Sequence, residues 1–324
     1  MTGWSVPVTG AVAAEKREGL ASGGCGLLLS PAMKISLIAL LAAPLTALAL
    51  LSAPTASADE EVSTLAKIEL QGAVNVRDIG GYRTYDGAKV KTKKAIRADS
   101  LEKLTAADVQ VLAGYNLKQV IDLRTQAEIQ FSGPDKLPSG VPLVARPIDD
   151  TGLFTKLLQV IQLRDPVKQE EMLGGGKAEQ IMAGVYKSFF TDASRNAFGQ
   201  TIRDLANTDR PTLYHCTAGK DRTGWLTYVT LRAVGVPERT ARQDYLLSNQ
   251  YRAAADAALR QQVKQAGLMQ NPDLLIPLQE VRDAYLDTAV REMEAKYGDL
   301  GKFLTQGLGL DAGTILKLRR NLVS

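Results

Sequence analysis

The sequence predicts an α/β protein with a central, mainly parallel sheet flanked by helices and a helical C-terminal part. Strand-like and helix-like segments alternate through the middle of the chain, and nearly all of the chain beyond residue 240 has helical patterns. The 324 residues are 45% hydrophobic and 23% charged. These are the values of a globular protein, so a disordered or fibrous chain is excluded.

The first half of the sheet and one helix are predicted before residue 150. Strands are predicted at 95–97, 118–123 and 142–147, the last bounded by prolines. A helix is predicted at 106–113, because Thr105 suits its N-cap, Asp108 takes the third position and Gly114 follows its end.

The second half of the chain is mostly helical. Helices are predicted at 179–190, 195–206 and 223–234, with a strand at 212–215 between the last two. The helix at 223–234 is apolar on most sides and should be buried, and Gly235 and Pro237 end it. Asp311 is a good N-cap for the final helix.

The segment 153–176 has two interpretations. It begins with an apolar run, continues with a charged run and ends in Gly174, Gly175 and Gly176. Amphipathic stretches usually pack in a core, which favours a buried helix followed by a loop. The alternative is a mobile lid over the site, hinged at the glycines.

Residues 33–58 are predicted to be a signal peptide. Lys34 provides the positive start, 35–51 is almost unbrokenly apolar, and Ala-Ser-Ala at 56–58 is a small-residue cleavage site before acidic residues. The alternative is a retained membrane anchor. The apolar run is short for a span and prolines interrupt it, which favours cleavage.

The prediction for the N-terminus divides the chain into three parts. Residues 1–32 are interpreted as an extension that precedes the true initiator, Met33. The mature chain is then 59–324, one domain of a length that can bury a sizeable core. Such a chain would be exported, either secreted or periplasmic.

The counts of cysteine, histidine and charge exclude several classes of function. Two cysteines, Cys25 and Cys216, exclude a disulfide-rich scaffold and a cysteine zinc cluster. One histidine excludes a three-histidine metal site. A net charge of +4 is too small to argue for a nucleic-acid partner. Export would leave Cys216 as a lone thiol in an oxidising compartment, which calls for a chemical role.

Residues 215–224, HCTAGKDRTG, have the pattern of an anion site. A strand ends at His215 and a helix begins near Arg222, so loop N–H groups and the helix dipole converge on one point. Gly219 allows the sharp turn. Arg222 can clamp two phosphoryl oxygens in a bidentate fork.

The same field favours a thiolate at Cys216, which could attack phosphorus in line and form a cysteinyl phosphate. Thr223 could donate a hydrogen bond to the sulfur. His215 is interpreted as a scaffold for the loop rather than a base, because a preformed thiolate needs none.

The segment HCTAGKDRTG resembles the signature loop of the cysteine-based protein tyrosine phosphatases. It is most similar to their bacterial tyrosine or dual-specificity branch, which also accepts phosphoinositides. Four further segments and the C-terminal Tyr-Gly and Gly-Leu-Gly-Leu fit that branch, and the resemblance covers about residues 68–324. The four segments lie at 75–81, 97–105, 121–128 and 244–249.

The resemblance implies a mainly parallel sheet of four or five strands and hydrolysis of phosphomonoesters without a metal or cofactor. The substrates would be phosphotyrosine proteins or phosphoinositides. Catalytic roles are implied for Cys216, Arg222 and Asp221. Substrate binding is expected of Thr217, Ala218, Gly219, Lys220, Thr223, Asn75, Arg77 and Asp78.

The general acid has more than one candidate. Asp221 is favoured by the resemblance, although adjacent Arg222 favours its carboxylate and only a bound phosphate dianion favours the acid. Asp78 is the second candidate. The Trp-Pro-Asp loop of classical members is missing, and the nearest sequence, at 147–150, lies far upstream.

Two further assignments stay open at the sequence level. Residues 75–81 could line or buttress the pocket, or form only a structural turn with Arg77 paired to Asp78 or Asp122. Lys220 could reach a second phosphate from the loop rim, or pair with Asp221. The alternative functions are a catalytically inactive phospho-ligand-binding module and a rhodanese-like sulfur transferase.

Overall fold

The computed structural model describes residues 67–324. The predicted extension, the signal peptide and Cys25 lie outside the described residues. Among the described helices, none combines the length and the apolar character needed to cross a membrane.

A five-stranded sheet forms the centre of the described chain, which confirms the predicted α/β class. The strand order is β1-β2-β5-β3-β4, where β1 is antiparallel to β2 and the other neighbours are parallel. The strands are β1 Arg77–Asp78, β2 Ala95–Ala98, β3 Gln119–Asp122, β4 Leu143–Ala145 and β5 Thr212–His215. The two-residue β1 lies in the segment 75–81, for which a pocket-lining role and a structural turn were both left open, and it is too short to show a strand pattern.

The central strands β2, β3 and β5 are buried on both faces, as parallel strands covered by helices should be. One face packs on a larger apolar cluster through Ala95, Ile121 and Tyr214, and the other packs on a smaller cluster through Val120 and Leu213. β4 is the exposed edge. The sheet therefore lies between two apolar layers and fixes where the ends of β2, β3 and β5 meet.

Helices occupy most of the remaining chain. Before β5 they are α1 Ala106–Ala113, α2 Gln126–Ser132, α3 Leu153–Leu163, α4 Pro166–Leu173, α5 Lys177–Ser188 and α6 Asp192–Ala206. After β5 they are α7 Arg222–Ala233, α8 Glu238–Gln265, α9 Ile276–Gln279, α10 Asp283–Tyr297, α11 Leu300–Lys302 and α12 Ala312–Leu322. A 3₁₀ turn at Pro272–Leu275 and a π turn at Phe303–Gly307 complete this part. Every residue of α7 from Arg222 to Leu231 is buried, as the sequence predicts.

Two helices begin with a capping box. At α1 the Thr105 hydroxyl accepts from the Asp108 N–H at 3.2 Å and the Asp108 carboxylate accepts from the Thr105 N–H at 2.8 Å, as predicted. At α2, Thr125 and Glu128 make the same exchange. The sequence analysis missed α2, although Thr-x-x-Glu is the pattern of such a start.

The segment 153–176 folds as α3 and α4 and packs into the larger apolar cluster through Val160, Ile161 and Leu173. The Gln169 amide donates to the carbonyls of Val160 and Leu268 at 2.9 and 2.8 Å. This packing agrees with the interpretation of a core-packing helix, whereas the charged run that was expected to be a loop forms the helix α4. The alternative, a lid hinged at the glycines, stays a prediction.

Candidate active site

The loop 216–221 connects the carboxyl end of β5 to the first turn of α7. β5 lies between β2 and β3, so the loop is at the centre of the sheet edge. In parallel α/β sheets this is the edge at which ligands bind. The strand, loop and helix N-terminus predicted from the sequence are therefore present in that order.

Four consecutive loop carbonyls are tied to donors around the loop. The pairs are Cys216 with His215 Nδ1 at 3.3 Å, Thr217 with Ser100 N–H at 3.2 Å, Ala218 with Asn75 Nδ2 at 3.0 Å, and Gly219 with Arg97 Nη2 at 2.8 Å. No backbone carbonyl of the described chain accepts from the N–H groups of residues 217–221. With the carbonyls held outward, those N–H groups can turn toward one anion at the start of α7.

The turn in this loop requires a glycine at position 219. Gly219 has φ of 63°, in the left-handed region. A Cβ there would lie 2.4 Å from the Ala98 carbonyl oxygen and 2.6 Å from the Asp99 nitrogen, both of them backbone atoms. The close approach to β2 therefore admits no side chain, and Gly219 acts through the backbone.

Arg222 is held by a carboxylate on one edge of its guanidinium. Nη1 and Nη2 lie 2.8 and 2.5 Å from the two oxygens of Glu128, and Nη1 also donates to the carbonyls of Leu123 and Ile148 at 3.2 Å each. This leaves the edge formed by Nε and the second Nη2 proton for an anion in the loop. Burial lowers the pKa of Arg222, but the charges of Glu128 and Cys216 outweigh it, so its pKa is raised.

Glu128 is a site residue that was not predicted, although it lies in the matching segment 121–128. Besides Arg222, it accepts from the Thr217 hydroxyl at 2.5 Å and from the Thr125 N–H at 2.7 Å. Burial raises the pKa of Glu128, but Arg222 and these donors outweigh it and lower the pKa to about 2. One carboxylate thus fixes both ends of the loop, and the capping pattern at α2 was the available signal.

This depressed pKa predicts an acid-sensitive contribution to stability. The Glu128 carboxylate stabilises the fold above its unfolded pKa of 4.5 and loses that contribution as the pH falls toward 2. The loss should amount to about 3 kcal/mol. Urea unfolding at several pH values checks this: the wild type should lose stability more steeply than Glu128→Gln below pH ~4.5. The control Glu69→Gln removes an exposed carboxylate and should keep the wild-type slope, and equal slopes in Glu128→Gln and wild type would contradict the assignment.

Cys216 lies at the base of the loop and is 2% exposed. A second arginine, Arg252 of α8, lies near it and donates to the Ala218 carbonyl at 3.4 Å. Burial lowers the pKa of Arg252, but the charges of Asp256 and Asp99 raise it and that of Cys216 adds to the increase. The thiol therefore has two guanidinium groups in its field, of which the sequence analysis found only Arg222.

The hydrogen bond predicted between Thr223 and the sulfur is absent. The Thr223 hydroxyl is buried and has no partner among the described residues. Thr223 is in the first turn of α7, directly after Arg222, so its placement beside the loop is as predicted, but its hydroxyl is not engaged with Cys216.

His215 is tied to structural partners on both ring nitrogens. Nε2 lies 3.0 Å from Asp135 and Nδ1 lies 3.3 Å from the Cys216 carbonyl oxygen. Burial lowers the pKa of His215, but the hydrogen bond and charge of Asp135 outweigh it and raise the pKa. This placement agrees with a scaffold role rather than proton transfer.

His215, Asp122 and Asp135 lie close enough to suggest a metal site. The Arg124 guanidinium already bridges the two carboxylates, at 2.9 Å from Asp122 and 2.8 Å from Asp135. Its charge already compensates the two carboxylates, so we interpret the cluster as an ion-pair network.

Lys220 and Asp221 form an ion pair, with Lys220 Nζ 3.0 and 2.8 Å from the two carboxylate oxygens. Lys220 also donates to the Glu280 carbonyl at 3.3 Å and is only 3% exposed. Lys220 is therefore buried rather than on an exposed rim, and the pairing alternative is the one observed, while contact of Lys220 with a second phosphate stays a prediction.

Asn75 and Arg77 buttress the loop from behind. Asn75 binds the Ala218 carbonyl, and Arg77 Nη1 holds the Asn75 side-chain oxygen at 2.6 Å. The predicted pairing of Arg77 with Asp78 or Asp122 is wrong, because Arg77 Nε pairs with Asp244 at 3.0 Å. Arg77 has no exposed surface, so it cannot contact a substrate directly.

Asp244 joins two strands to the loop. It also pairs with Arg97 Nη1 at 2.6 Å, and Arg97 in turn holds the Gly219 carbonyl. Burial raises the pKa of Asp244, but Arg77 and Arg97 outweigh it, so its pKa is lowered. The role of Asp244 was not predicted from the segment 244–249.

Asp78 does not reach the loop. Its carboxylate accepts from the N–H groups of Gly80 at 2.8 Å and Lys93 at 2.5 Å, at the end of β2 opposite to the loop. Burial raises the pKa of Asp78 despite these bonds. The expectations of substrate binding and of a second general acid at Asp78 are therefore not supported, because the carboxylate closes a turn.

The segment 147–150, which is far upstream of the loop in sequence, lies beside Arg222. The Ile148 carbonyl accepts from Arg222, and the Asp150 carboxylate caps α3 through the N–H groups of Gly152 and Phe154 at 3.0 and 2.9 Å. Burial raises the pKa of Asp150, and the charge of Arg222 only partly offsets this increase. The structure thus adds a carboxyl group near the loop that the sequence analysis did not select.

Comparisons with known proteins show the family of this chain. The model of the tyrosine phosphatase family matches residues 68–324. A protein of Cupriavidus necator described as a tyrosine-protein phosphatase is 30% identical over 244 residues, which cover 74% of this chain and 84% of that protein. The triple specificity protein phosphatase PtpB of Mycobacterium tuberculosis is 27% identical over 273 residues, 78% of this chain and 97% of PtpB.

The fold and the anion-binding loop define a phosphate-handling α/β enzyme. The chain belongs to the tyrosine phosphatase family, and it is a phosphatase, a hydrolase acting on phosphorylated substrates. The comparisons give no support to a catalytically inactive binding module.

Proposed function

We propose that the protein hydrolyses phosphomonoesters of proteins through a cysteinyl-phosphate intermediate at Cys216. The observation that carries this is the loop 216–221: its carbonyls are tied outward, its N–H groups have no backbone acceptor among the described residues, and it ends at Arg222. That arrangement binds a phosphoryl group directly above the sulfur.

Two steps complete the reaction. The Cys216 thiolate attacks phosphorus, the S–P bond forms and the P–O bond to the leaving group breaks, while Asp221 gives its proton to the leaving oxygen. Water then attacks the same phosphorus, the S–P bond breaks and Asp221 takes the proton of the water. Arg222 and the loop N–H groups stabilise the charge on the equatorial oxygens in both steps.

The substrate class is tested with a panel of compounds. The relative PtpB is described as a triple specificity phosphatase. The similarity of this chain to PtpB supports a panel that contains phosphotyrosine, phosphoserine, phosphothreonine and phosphoinositide compounds. Release of inorganic phosphate is measured for each. Phosphotyrosine peptides should be hydrolysed with the highest kcat/KM. A rapid burst of leaving group, followed by slower turnover, should accompany the covalent intermediate, and stoichiometric binding without release would instead indicate a binding module.

The Asp221→Asn variant should lose kcat/KM to a different extent on esters with different leaving groups. Phenyl phosphate needs protonation of its leaving oxygen, so its kcat/KM should fall by about 10²–10⁴. The kcat/KM for 4-nitrophenyl phosphate should fall much less, because nitrophenolate leaves without protonation. An equal loss on both esters would point away from Asp221, and Asp150→Asn is then the variant to measure, because that carboxyl group lies near Arg222.

The buried ion pair predicts a shared effect of Lys220 on all substrates. Lys220→Met removes the charge that holds Asp221, so kcat/KM should fall about tenfold on a phosphotyrosine peptide and on a phosphoinositide alike. Lys296→Met, in an exposed pair on α10, is the control and should change neither rate. A loss confined to the phosphoinositide would show that Lys220 leaves Asp221 and reaches a second phosphate.

We also propose that the protein is exported after cleavage near Ala58, on the signal-like pattern of residues 33–58. Mass spectrometry of the protein released by its native host should give an N-terminus at or near Asp59. Recovery of the uncleaved chain in the membrane fraction would contradict this.

A further inference from the structure

A buried pair of tyrosine hydroxyls contacts the Asp221 carboxylate from the side opposite to solvent. Tyr186 of α5 has no exposed surface, and its hydroxyl lies 2.9 Å from Asp221 Oδ1. The same hydroxyl lies 2.6 Å from that of Tyr245 on α8. Neither tyrosine takes part in the two steps proposed for the reaction.

The direction of these hydrogen bonds follows from the carboxylate. Tyr186 donates its single hydroxyl proton to Asp221 Oδ1, so in the contact between the two tyrosines Tyr245 donates and the Tyr186 oxygen accepts. Burial raises the pKa of both tyrosines well above the usual value, and the negative charge of Asp221 raises them further. Both hydroxyls therefore stay protonated, and both remain donors at any pH at which the enzyme works.

The ring of Tyr186 is fixed by its neighbours. It packs edge to face against Tyr245 with centroids 6.5 Å apart, and it contacts Phe189 and Tyr285 at 5.0 and 6.0 Å. A hydroxyl on such a ring cannot follow a moving carboxylate, so it defines one position for Asp221 Oδ1. Lys220 sits between the two carboxylate oxygens and gives no comparable preference.

A donor that is directed at the carboxyl oxygen stabilises the general acid most when negative charge develops on that oxygen. A general acid that gives up its proton becomes an anion in the transition state, and a donor already directed at its oxygen stabilises that anion without reorganisation. The same donor keeps the carboxyl group oriented toward the leaving oxygen in the first step and toward water in the second.

We propose that Tyr186 is a positioning residue for Asp221, holding the carboxyl group through its hydroxyl, with Tyr245 completing the chain of donors. This rests on the proposed role of Asp221 as the acid. It assigns a residue of α5, 35 positions upstream of Asp221, to the chemical step.

The test is Tyr186→Phe, which removes one oxygen and keeps the ring. The kcat/KM for phenyl phosphate should fall about tenfold, the scale of one hydrogen bond to a charged group. The kcat/KM for 4-nitrophenyl phosphate should stay within about twofold, because its leaving group needs little acid. The inhibition constant of inorganic phosphate should not change, because the loop is intact.

Tyr214→Phe is the matched control. Tyr214 is equally buried, and its hydroxyl pairs with Thr227 at 2.8 Å rather than with Asp221. This variant should leave the ratio of the two kcat/KM values unchanged. Equal losses on both esters in Tyr186→Phe, or a weaker binding of phosphate, would reduce Tyr186 to a packing role and overturn the proposal.

A double-mutant cycle separates this inference from the role of Asp221. In the Asp221→Asn background, Tyr186→Phe should add no further selective loss on phenyl phosphate, because its partner is already disabled. A selective loss in Asp221→Asn with none in Tyr186→Phe overturns only the positioning role. No selective loss in Asp221→Asn overturns the acid assignment, and the positioning role with it.

Tyr245→Phe provides a second variant if Tyr186→Phe does not fold. It leaves the Tyr186 hydroxyl on Asp221 and removes the donor behind it, together with the longer contact of Tyr245 to the Arg282 carbonyl at 3.4 Å. A smaller selective loss on phenyl phosphate, about two- to threefold, is expected, because donors in a chain strengthen one another. Wild-type selectivity in a folded Tyr245→Phe protein, with Tyr186→Phe unfolded, would overturn the proposal.

Discussion

The Cys216→Ser variant should have no measurable turnover and should still bind phosphate and aryl phosphates with near wild-type affinity. A serine hydroxyl stays protonated at neutral pH and does not attack phosphorus without a base, and His215 is bound to Asp135 and cannot serve as one. The loop 216–221 keeps its conformation, because its carbonyls are held by donors on other segments. Steady-state rates and calorimetric titration with phosphate measure the two properties.

The chain provides a matched control for this change. Measured in the full 1–324 chain, Cys25→Ser is the same substitution at the other cysteine, outside the predicted mature chain, and it should keep wild-type rates. A folded Cys216→Ser protein with wild-type turnover would falsify the covalent mechanism.

The Arg222→Lys variant should lose about 10²–10³ in kcat/KM, which corresponds to about 2.7–4 kcal/mol of transition-state stabilisation. Arg222 engages Glu128 with one edge of its guanidinium and offers the other edge to the phosphoryl group. An ammonium group cannot do both, so it either leaves Glu128 and Thr217 without their partner or leaves the phosphoryl oxygens without theirs.

The measurements are kcat/KM on 4-nitrophenyl phosphate, which should fall, and the inhibition constant of phosphate, which should rise. Arg291→Lys, at an exposed position of α10, is the control and should leave both unchanged. A loss smaller than about threefold in Arg222→Lys would mean that charge alone suffices and that the fork is not used.

Local patterns predicted the central fold well. Buried parallel strands are short apolar runs, so β2, β3 and β5 were recognisable, and the cap at Thr105 located α1 to the residue. β1 was missed because two residues carry no periodicity. α2 was missed because its pattern is only seven residues long, although its capping box was visible in the sequence.

The loop itself was predictable because its chemistry is contiguous in sequence, whereas its supports were not. Glu128 is 94 residues from the arginine that it holds, and Asp244 is 167 residues from Arg77. Pairing over such distances depends on how the elements pack. The direction of the Lys220 side chain also depends on tertiary packing. For that reason the expectation of an exposed position for Lys220 on the loop rim was wrong.

The outward tethering of the loop carbonyls couples ligand binding to folding. The donors at Asn75 and Arg97 lie 143 and 122 residues from the carbonyls they bind, so a partly folded chain has no aligned N–H groups and no affinity for an anion. A ligand that binds only the native state raises the free energy of unfolding, by about 2.7 kcal/mol at 100 times its dissociation constant. Cys216 is free in the described chain, and no disulfide joins these segments there. A noncovalently bound phosphate would therefore hold these segments together at the sheet edge. The melting temperature of the enzyme would rise with the concentration of phosphate, which is its own product.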